Sequence, residues 1–185
     1  NSPKVRARAR PGVDESCDQI PECVGTTGWA KVLQDTDALA PAAIATDLDD
    51  NMVLVGSLKG TIDFGGGNIT AADEDPYIVQ LGPDGAHRWS RVYSSVGVQR
   101  VNAVATDKEG NVVVVGTFAG TMTIGADTLT SAGGNDAFAA KLDKNGNAVW
   151  ARSFGGTSGD RALAVALGPA GGVYVAGGYI GDVTI

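Results

Sequence analysis

Sulfur and imidazole are nearly missing from this chain. Among 185 residues there are two cysteines, two methionines and one histidine. Cys17 and Cys23, with no further Cys and no nearby His, cannot complete a tetrahedral metal shell. Their Cys-x5-Cys spacing, with Pro21 between them, suits a small disulfide loop and fits an exported protein. His87 stands alone beside Arg88 and reads as exposed and inert, so spacing assembles no nucleophile with a partnered base. Long apolar runs are missing too. No segment approaches the roughly 18 apolar residues of a membrane-spanning helix, and the N-terminus has no apolar signal core. No stretch of helical length carries a 3.6-residue period, so no long helix is expected. Basic residues are in deficit, 14 Lys and Arg against 21 Asp and Glu, for a net charge of −7. Residues 1–12 hold Lys4, Arg6, Arg8 and Arg10 and no acid, which leaves −11 on the rest. An acidic body argues against nucleic acid and anionic membranes as partners, and the basic arm reads as a solvated linker.

Glycine, by contrast, is plentiful, at 27 residues, and it punctuates a repeat. Trp29, Trp89 and Trp150 lie 60 and 61 residues apart. Trp29-Ala-Lys-Val-Leu33, Trp89-Ser-Arg-Val-Tyr93 and Trp150-Ala-Arg-Ser-Phe154 correspond. So do Ala43-Ile-Ala-Thr-Asp47, Ala103-Val-Ala-Thr-Asp107 and Ala164-Val-Ala-Leu167. The apolar runs ending in Gly56, Gly116 and Gly177 follow, and then Asp75-Pro-Tyr77 and Asp136-Ala-Phe138. The change of period falls between Ala132 and Asp136, in a polar Gly-rich stretch where an insertion does not slip a strand. Each copy holds about four strand signals rich in Val, Ile, Tyr, Phe and Thr. Leu81-Gly-Pro-Asp-Gly85, Asp107-Lys-Glu-Gly-Asn111 and Asp143-Lys-Asn-Gly-Asn147 read as hairpin loops. Val112–Val115 is apolar without alternation, so both of its faces should be covered.

Four strands per unit of about 60 residues, repeated, predict an all-β fold of β-propeller blades. The expected organisation is a linker or tail of a preceding module over 1–28, blades over 29–88 and 89–149, and a partial blade over 150–185. The repeat stops in mid-pattern, so the chain reads as a piece of a longer protein, or as one that closes a ring by oligomerising. A robust monomer is not expected. A sharp monomer peak in light scattering with cooperative melting would contradict this.

The punctuated positions resemble the bacterial seven-bladed β-propeller repeat family known by the initials SBBP. Asp136-Ala-Phe138, Lys141-Leu-Asp-Lys-Asn-Gly146, Trp150, Phe154-Gly-Gly156, Ala162-Leu-Ala-Val165 and Gly172-Val-Tyr-Val-Ala-Gly177 carry the likeness, which covers residues 29 to 185. Asp160-Arg161 departs from it, since the family commonly has a small residue after that Asp. The resemblance implies an extracellular or cell-envelope location and a scaffold, with little chemistry of its own.

Several residues invite functional readings. The turns Asp47-Leu-Asp49-Asp-Asn51 and Asp143-Lys-Asn145-Gly-Asn147 mimic the first half of a calcium loop. The bidentate carboxylate that should follow is missing, and turn chemistry accounts for the same residues. Trp89 and Trp150 each follow a turn glycine by four residues. This resembles the tryptophan-docking motif of quinoprotein propellers, which would imply a redox enzyme. A structural aromatic filling the gap between blades explains it more simply, and Asp143-Lys-Asn-Gly146 lacks the Asp-Thr-Gly core of that motif. Lys31, Arg91 and Arg152, two positions after each Trp, suit stacking or ion pairing. Phe64-Gly-Gly-Gly67 and Phe154-Gly-Gly156 are not phosphate loops, having no following Lys-Ser/Thr.

The expectation is therefore a non-catalytic scaffold or recognition module without a cofactor. Trp29, Trp89, Trp150, Gly56, Gly116 and Gly177 would serve as structural framework. Its partners would be further blades and an unidentified protein or glycan. The alternatives are a glycan-binding propeller with one weak site per repeat, and part of a hydrolase, lyase or quinoprotein. The polar stretches Gly65–Asp75 and Gly125–Asn135 are expected to be surface loops that bind.

Overall fold

A computed structural model describes residues 29–33, 38–95 and 97–182. Two units are distinguished, one ending at Leu33 and one running from Gln34 to Ile185. Of the first, Trp29–Leu33 is described and carries no regular secondary structure, so the strand signal read there is not realised. Cys17 and Cys23 lie outside the described residues, as does the expected linker over 1–28.

The second unit is all-β, with no helix among the described residues. Strands β1 (Ala38–Thr46), β2 (Met52–Asp63), β3 (Asn68–Leu81) and β4 (His87–Val92) form an antiparallel sheet in chain order. The next strands are β5 (Gln99–Thr106), β6 (Val112–Phe118), β7 (Thr121–Ile124), β8 (Asp127–Thr130), β9 (Asp136–Leu142) and β10 (Ala148–Phe154). Of these, β5, β6, β9 and β10 make a second four-stranded sheet, and β7–β8 is a separate hairpin. A third sheet begins with β11 (Arg161–Leu167) paired to β12 (Val173–Gly178). The register repeats to the residue. Each first strand carries a bulge at the same place, between Pro41 and Ala43, Val101 and Ala103, and Ala162 and Ala164.

The sheets are out of phase with the units read from the tryptophans. Trp89 lies in β4, opposite Gln80 of β3, and Trp150 lies in β10, opposite Lys141 of β9. Each Trp strand therefore closes a sheet, and the blades run over 38–92 and 99–154, with a third starting at 161. The five-residue turn 82–86 joins antiparallel neighbours, whereas 93–98 crosses between sheets. A periodic sequence reveals the length of a unit but not where it starts.

The expected loops also need correction. Asn68 to Asp75 belongs to β3, and Asp127 to Thr130 is β8. Ile62, Ala71, Met122 and Leu129 face inward, while the Thr61–Thr70 and Thr123–Thr128 hydroxyl pairs face outward at 2.9 and 3.3 Å. Alternation of this kind puts a polar residue at every second position and makes an arm look like a loop. In the second sheet the arm separates because Gly120 and Ser131 bond each other at 2.8 and 2.9 Å.

The sheets stack face to face. Val53, Val55 and Ile78 of the first pack on Val112, Val114, Phe118 and Phe138 of the second. Val115, Ala137 and Ala139 turn the other way, toward Ala162 and Val165 of the third. Val112–Val115 is thus sandwiched, all four residues at 1% exposure or less, as its unbroken apolar run requires. First strands lie side by side: Thr106 Oγ1 donates to the Thr46 carbonyl at 2.6 Å, and Asn102 Nδ2 to the Ala162 carbonyl at 2.8 Å. This is the geometry of consecutive propeller blades.

Candidate functional site: the blade junctions

The turns with calcium-like spacing are built by their own aspartates. Asp47 Oδ1 accepts the Asp49 and Asn51 amides at 2.9 Å, and its Oδ2 accepts Asn51 Nδ2 at 2.8 Å and Gln80 Nε2 at 3.3 Å. Asp143 repeats this with Asn145 and Asn147, between 2.8 and 2.9 Å. Asp107 does so with Glu109 and Asn111, and Lys141 Nζ takes the place of Gln80 at 2.9 Å. A left-handed residue completes each turn: Asp50 (φ 58°), Gly110 (80°) and Gly146 (76°). Burial raises the Asp107 pKa, but hydrogen bonds from Asn111 and Lys141 outweigh it and hold the carboxyl below its ordinary range. The Asn147 side chain does the same for Asp143. These oxygens spend their lone pairs on amides, and no group of three or more His, Cys, Asp or Glu converges among the described residues. In the third copy Gly168 replaces the Asp, and the backbone turn persists through Gly168–Gly172 and Gly171–Gly168 bonds at 2.8 and 3.0 Å.

The tryptophans have a different task. Trp89 is 7% exposed and belongs to the core between the first two sheets. Its Nε1–H donates to the Lys144 carbonyl at 3.0 Å, in the β9–β10 turn of the next blade. Gly146 lies flat on the indole, where a Cβ would sit 2.6 Å from Cδ2 and Cε3. The Arg91 guanidinium covers the ring at 5.8 Å, and its Nη2 donates to the Asn145 carbonyl at 3.2 Å. One side chain thus fastens the last strand of one blade to the outer turn of the next. Trp150 is half-buried and lines a 380 Å³ cavity with Ala139, Arg152, Phe154, Val173 and Val175. Arg152 pairs with Asp127 at 3.5 Å.

Gly56, Gly116 and Gly177 share one steric duty. A Cβ on any of them would collide with the carbonyl at the bulge of the neighbouring first strand, that of Ala40, Arg100 or Arg161. Tyr77 and Phe138 then lay their rings over the first two of these glycines.

His87, expected to be exposed, is instead half-buried: it lies against Gly66, with Nε2 3.2 Å from Ser90 Oγ. Two features escaped the sequence. Asp136 and Asp160 are buried at 2 and 3% exposure and cap loop amides, Asp160 those of Gly156 and Ile180 at 2.8 and 3.0 Å. Glu74 bridges two blades. Its Oε1 accepts Arg100 Nε at 3.1 Å and Ser57 Oγ at 3.0 Å, and its Oε2 accepts Arg100 Nη2 at 2.8 Å. The Arg100 bonds hold the Glu74 carboxyl below its usual range. Recurrence of Asp75 at Asp136 could have flagged the caps. Nothing local flags a pair spanning 26 residues.

Comparison with known proteins agrees with this architecture. The chain is 31% identical over 126 residues to an uncharacterized WD repeat-containing protein of Acanthamoeba polyphaga mimivirus. The match covers 58% of this chain and 9% of that protein. No known family profile matches the chain. The chain carries a β-propeller-type repeat, although no Trp-Asp dipeptide occurs in it, its tryptophans being followed by Ala30, Ser90 and Ala151.

Proposed function

We propose that this chain is a propeller segment that works as a non-catalytic scaffold or protein-recognition module. One observation carries the reading: most of the conspicuous polar and aromatic residues of the repeat are consumed in building its turns and joining its blades. Trp89 is buried under the next turn, Asp47, Asp107 and Asp143 hold their own turns together, and Glu74 and Arg100 neutralise each other. A rigid stack with committed side chains is suited to presenting surfaces rather than to moving protons. The mimivirus relative, itself a WD repeat-containing protein, supports the same direction. A sugar-stacking role for Trp89 is disfavoured by its burial.

An extracellular or envelope location, and membership of the bacterial repeat family, belong to this proposal. The family rests on the motif resemblance, and the location on that resemblance together with the Cys17, Cys23 pair. Thiol labelling of the protein isolated from its own cells, with and without reductant, tests the location; two free thiols in the unreduced protein would count against it.

The functional test is a binding selection on the intact protein against protein and glycan arrays, with a visible absorbance scan. A saturable protein ligand and a colourless preparation are expected. Selective glycan binding, or a cofactor band, would replace the scaffold reading with the lectin or the enzyme.

A further inference from the structure

The two blade junctions serve as controls for each other. In the first, the Glu74 carboxylate receives the Arg100 fork and the Ser57 hydroxyl. In the repeat alignment Arg100 corresponds to Arg161, Ser57 to Thr117 and Glu74 to Asn135. Ladder partners follow the same correspondence, since Ser57 faces Pro76 and Thr117 faces Ala137. The second junction therefore keeps the guanidinium and the hydroxyl but has a neutral amide where the first has a carboxylate.

A cleft of 330 Å³ opens at that place, lined by Arg100, Asn102, Thr117, Asn135, Asp160 and Arg161 among others. The Arg161 side chain has no ion pair among the described residues. Thr117 Oγ1 accepts Asn102 Nδ2 at 3.3 Å, which leaves its own proton free to donate. The one acid lining the cleft, Asp160, is 3% exposed and already engaged, since its two oxygens accept the Gly156 and Ile180 amides. Arg100 sits at the edge with its charge already met by Glu74.

We infer that the junction between the second and third blades is a carboxylate-binding site. The ligand carboxylate takes the position that Glu74 holds one blade earlier, bidentate on Arg161 with Thr117 donating a third hydrogen bond. The chemistry recognised is a carboxylate, from a free small acid or from a Glu side chain. This inference does not depend on the scaffold reading, since such a site would serve a scaffold or an enzyme alike.

The test titrates acetate, capped glutamate and capped glutamine into the 185-residue chain while following arginine side-chain Nε–H resonances by NMR. Saturable shifts of the Arg161 resonance are expected with acetate and capped glutamate, and none with capped glutamine. Tighter binding of capped glutamate than of acetate assigns the site to a side chain; equal or weaker binding assigns it to free acids. Asn135→Glu supplies the carboxylate from within and should weaken either ligand by about tenfold or more, as should Arg161→Gln, whose binding is followed through the backbone amide of Thr117. Dispersion of the amide spectrum shows whether each variant is folded, and either variant alone suffices. Non-saturating shifts, equal shifts with capped glutamine, or undiminished binding in a folded Asn135→Glu or Arg161→Gln would overturn the inference.

Discussion

Replacing Trp89 by Ala empties the main joint between the first two blades. The indole is 7% exposed, donates to the Lys144 carbonyl and lies under Arg91. Truncating a buried Trp costs about 3–5 kcal/mol. Trp89→Phe keeps most of the ring but strands the Lys144 carbonyl, for about 1–2 kcal/mol. Gly146→Ala attacks the joint from the other side. Its φ of 76° penalises any L side chain by about 1–2 kcal/mol, and the new Cβ would lie 2.6 Å from the indole. Overpacking adds about 1–3 kcal/mol. In a Trp89→Ala background that overlap disappears and only the backbone term remains. A double-mutant cycle should therefore show a coupling of about 1–3 kcal/mol. Urea unfolding followed by far-UV circular dichroism measures it without relying on Trp89 fluorescence. Additive costs for the two substitutions would refute the claim that the ring and the glycine form one contact.

Three further outcomes are expected of the same fold. Tyr77 is fully buried, its hydroxyl has no hydrogen-bond partner among the described residues, and burial pushes its pKa up to about 12. Folding favours the neutral phenol, so its contribution is complete below the ordinary pKa near 10 and fades as pH climbs toward 12. Tyr77→Phe should shrink this alkaline limb, to which the half-buried Tyr93 also contributes, and raise stability by about 1 kcal/mol, which urea midpoints at neutral and alkaline pH would read. Glu74, Asp107 and Asp143 have lowered pKa values in the fold, so their stabilisation is present at neutral pH. It is lost as acid protonates them below about pH 4, and Asp107→Asn should flatten that part of a stability–pH curve. Gly116→Ala would drive a methyl into the Arg100 carbonyl and to 2.7 Å from Phe138, and should cost more than the about 1–3 kcal/mol of ordinary overpacking. A thermal melt within a degree of the parent protein would contradict this.

Most of the architecture was legible in the chain because turn chemistry is local. Asp107-Lys-Glu-Gly-Asn111 builds the turn read from it, since the carboxylate reaches amides two and four residues on. Val112–Val115 announced a strand covered on both faces because a solvated face would have required polar alternation. Arg91 and Arg152 stack and pair as residues beside a Trp strand should. His87 and the arms around Gly66 and Ala126 misled because alternating strands and polar loops share a composition.

The amino-acid sequence by itself determined the period, most of the strands and the turns, whose chemistry depends on residues close along the chain. Tertiary structure alone decided the phase of the blades, the seat of Trp89 on a turn 55 residues away, and the unlike charge of the two junctions. Those depend on which copy faces which. Equivalent residues in a repeat meet different neighbours, and only stacking brings Glu74 to Arg100 while leaving Asn135 beside Arg161.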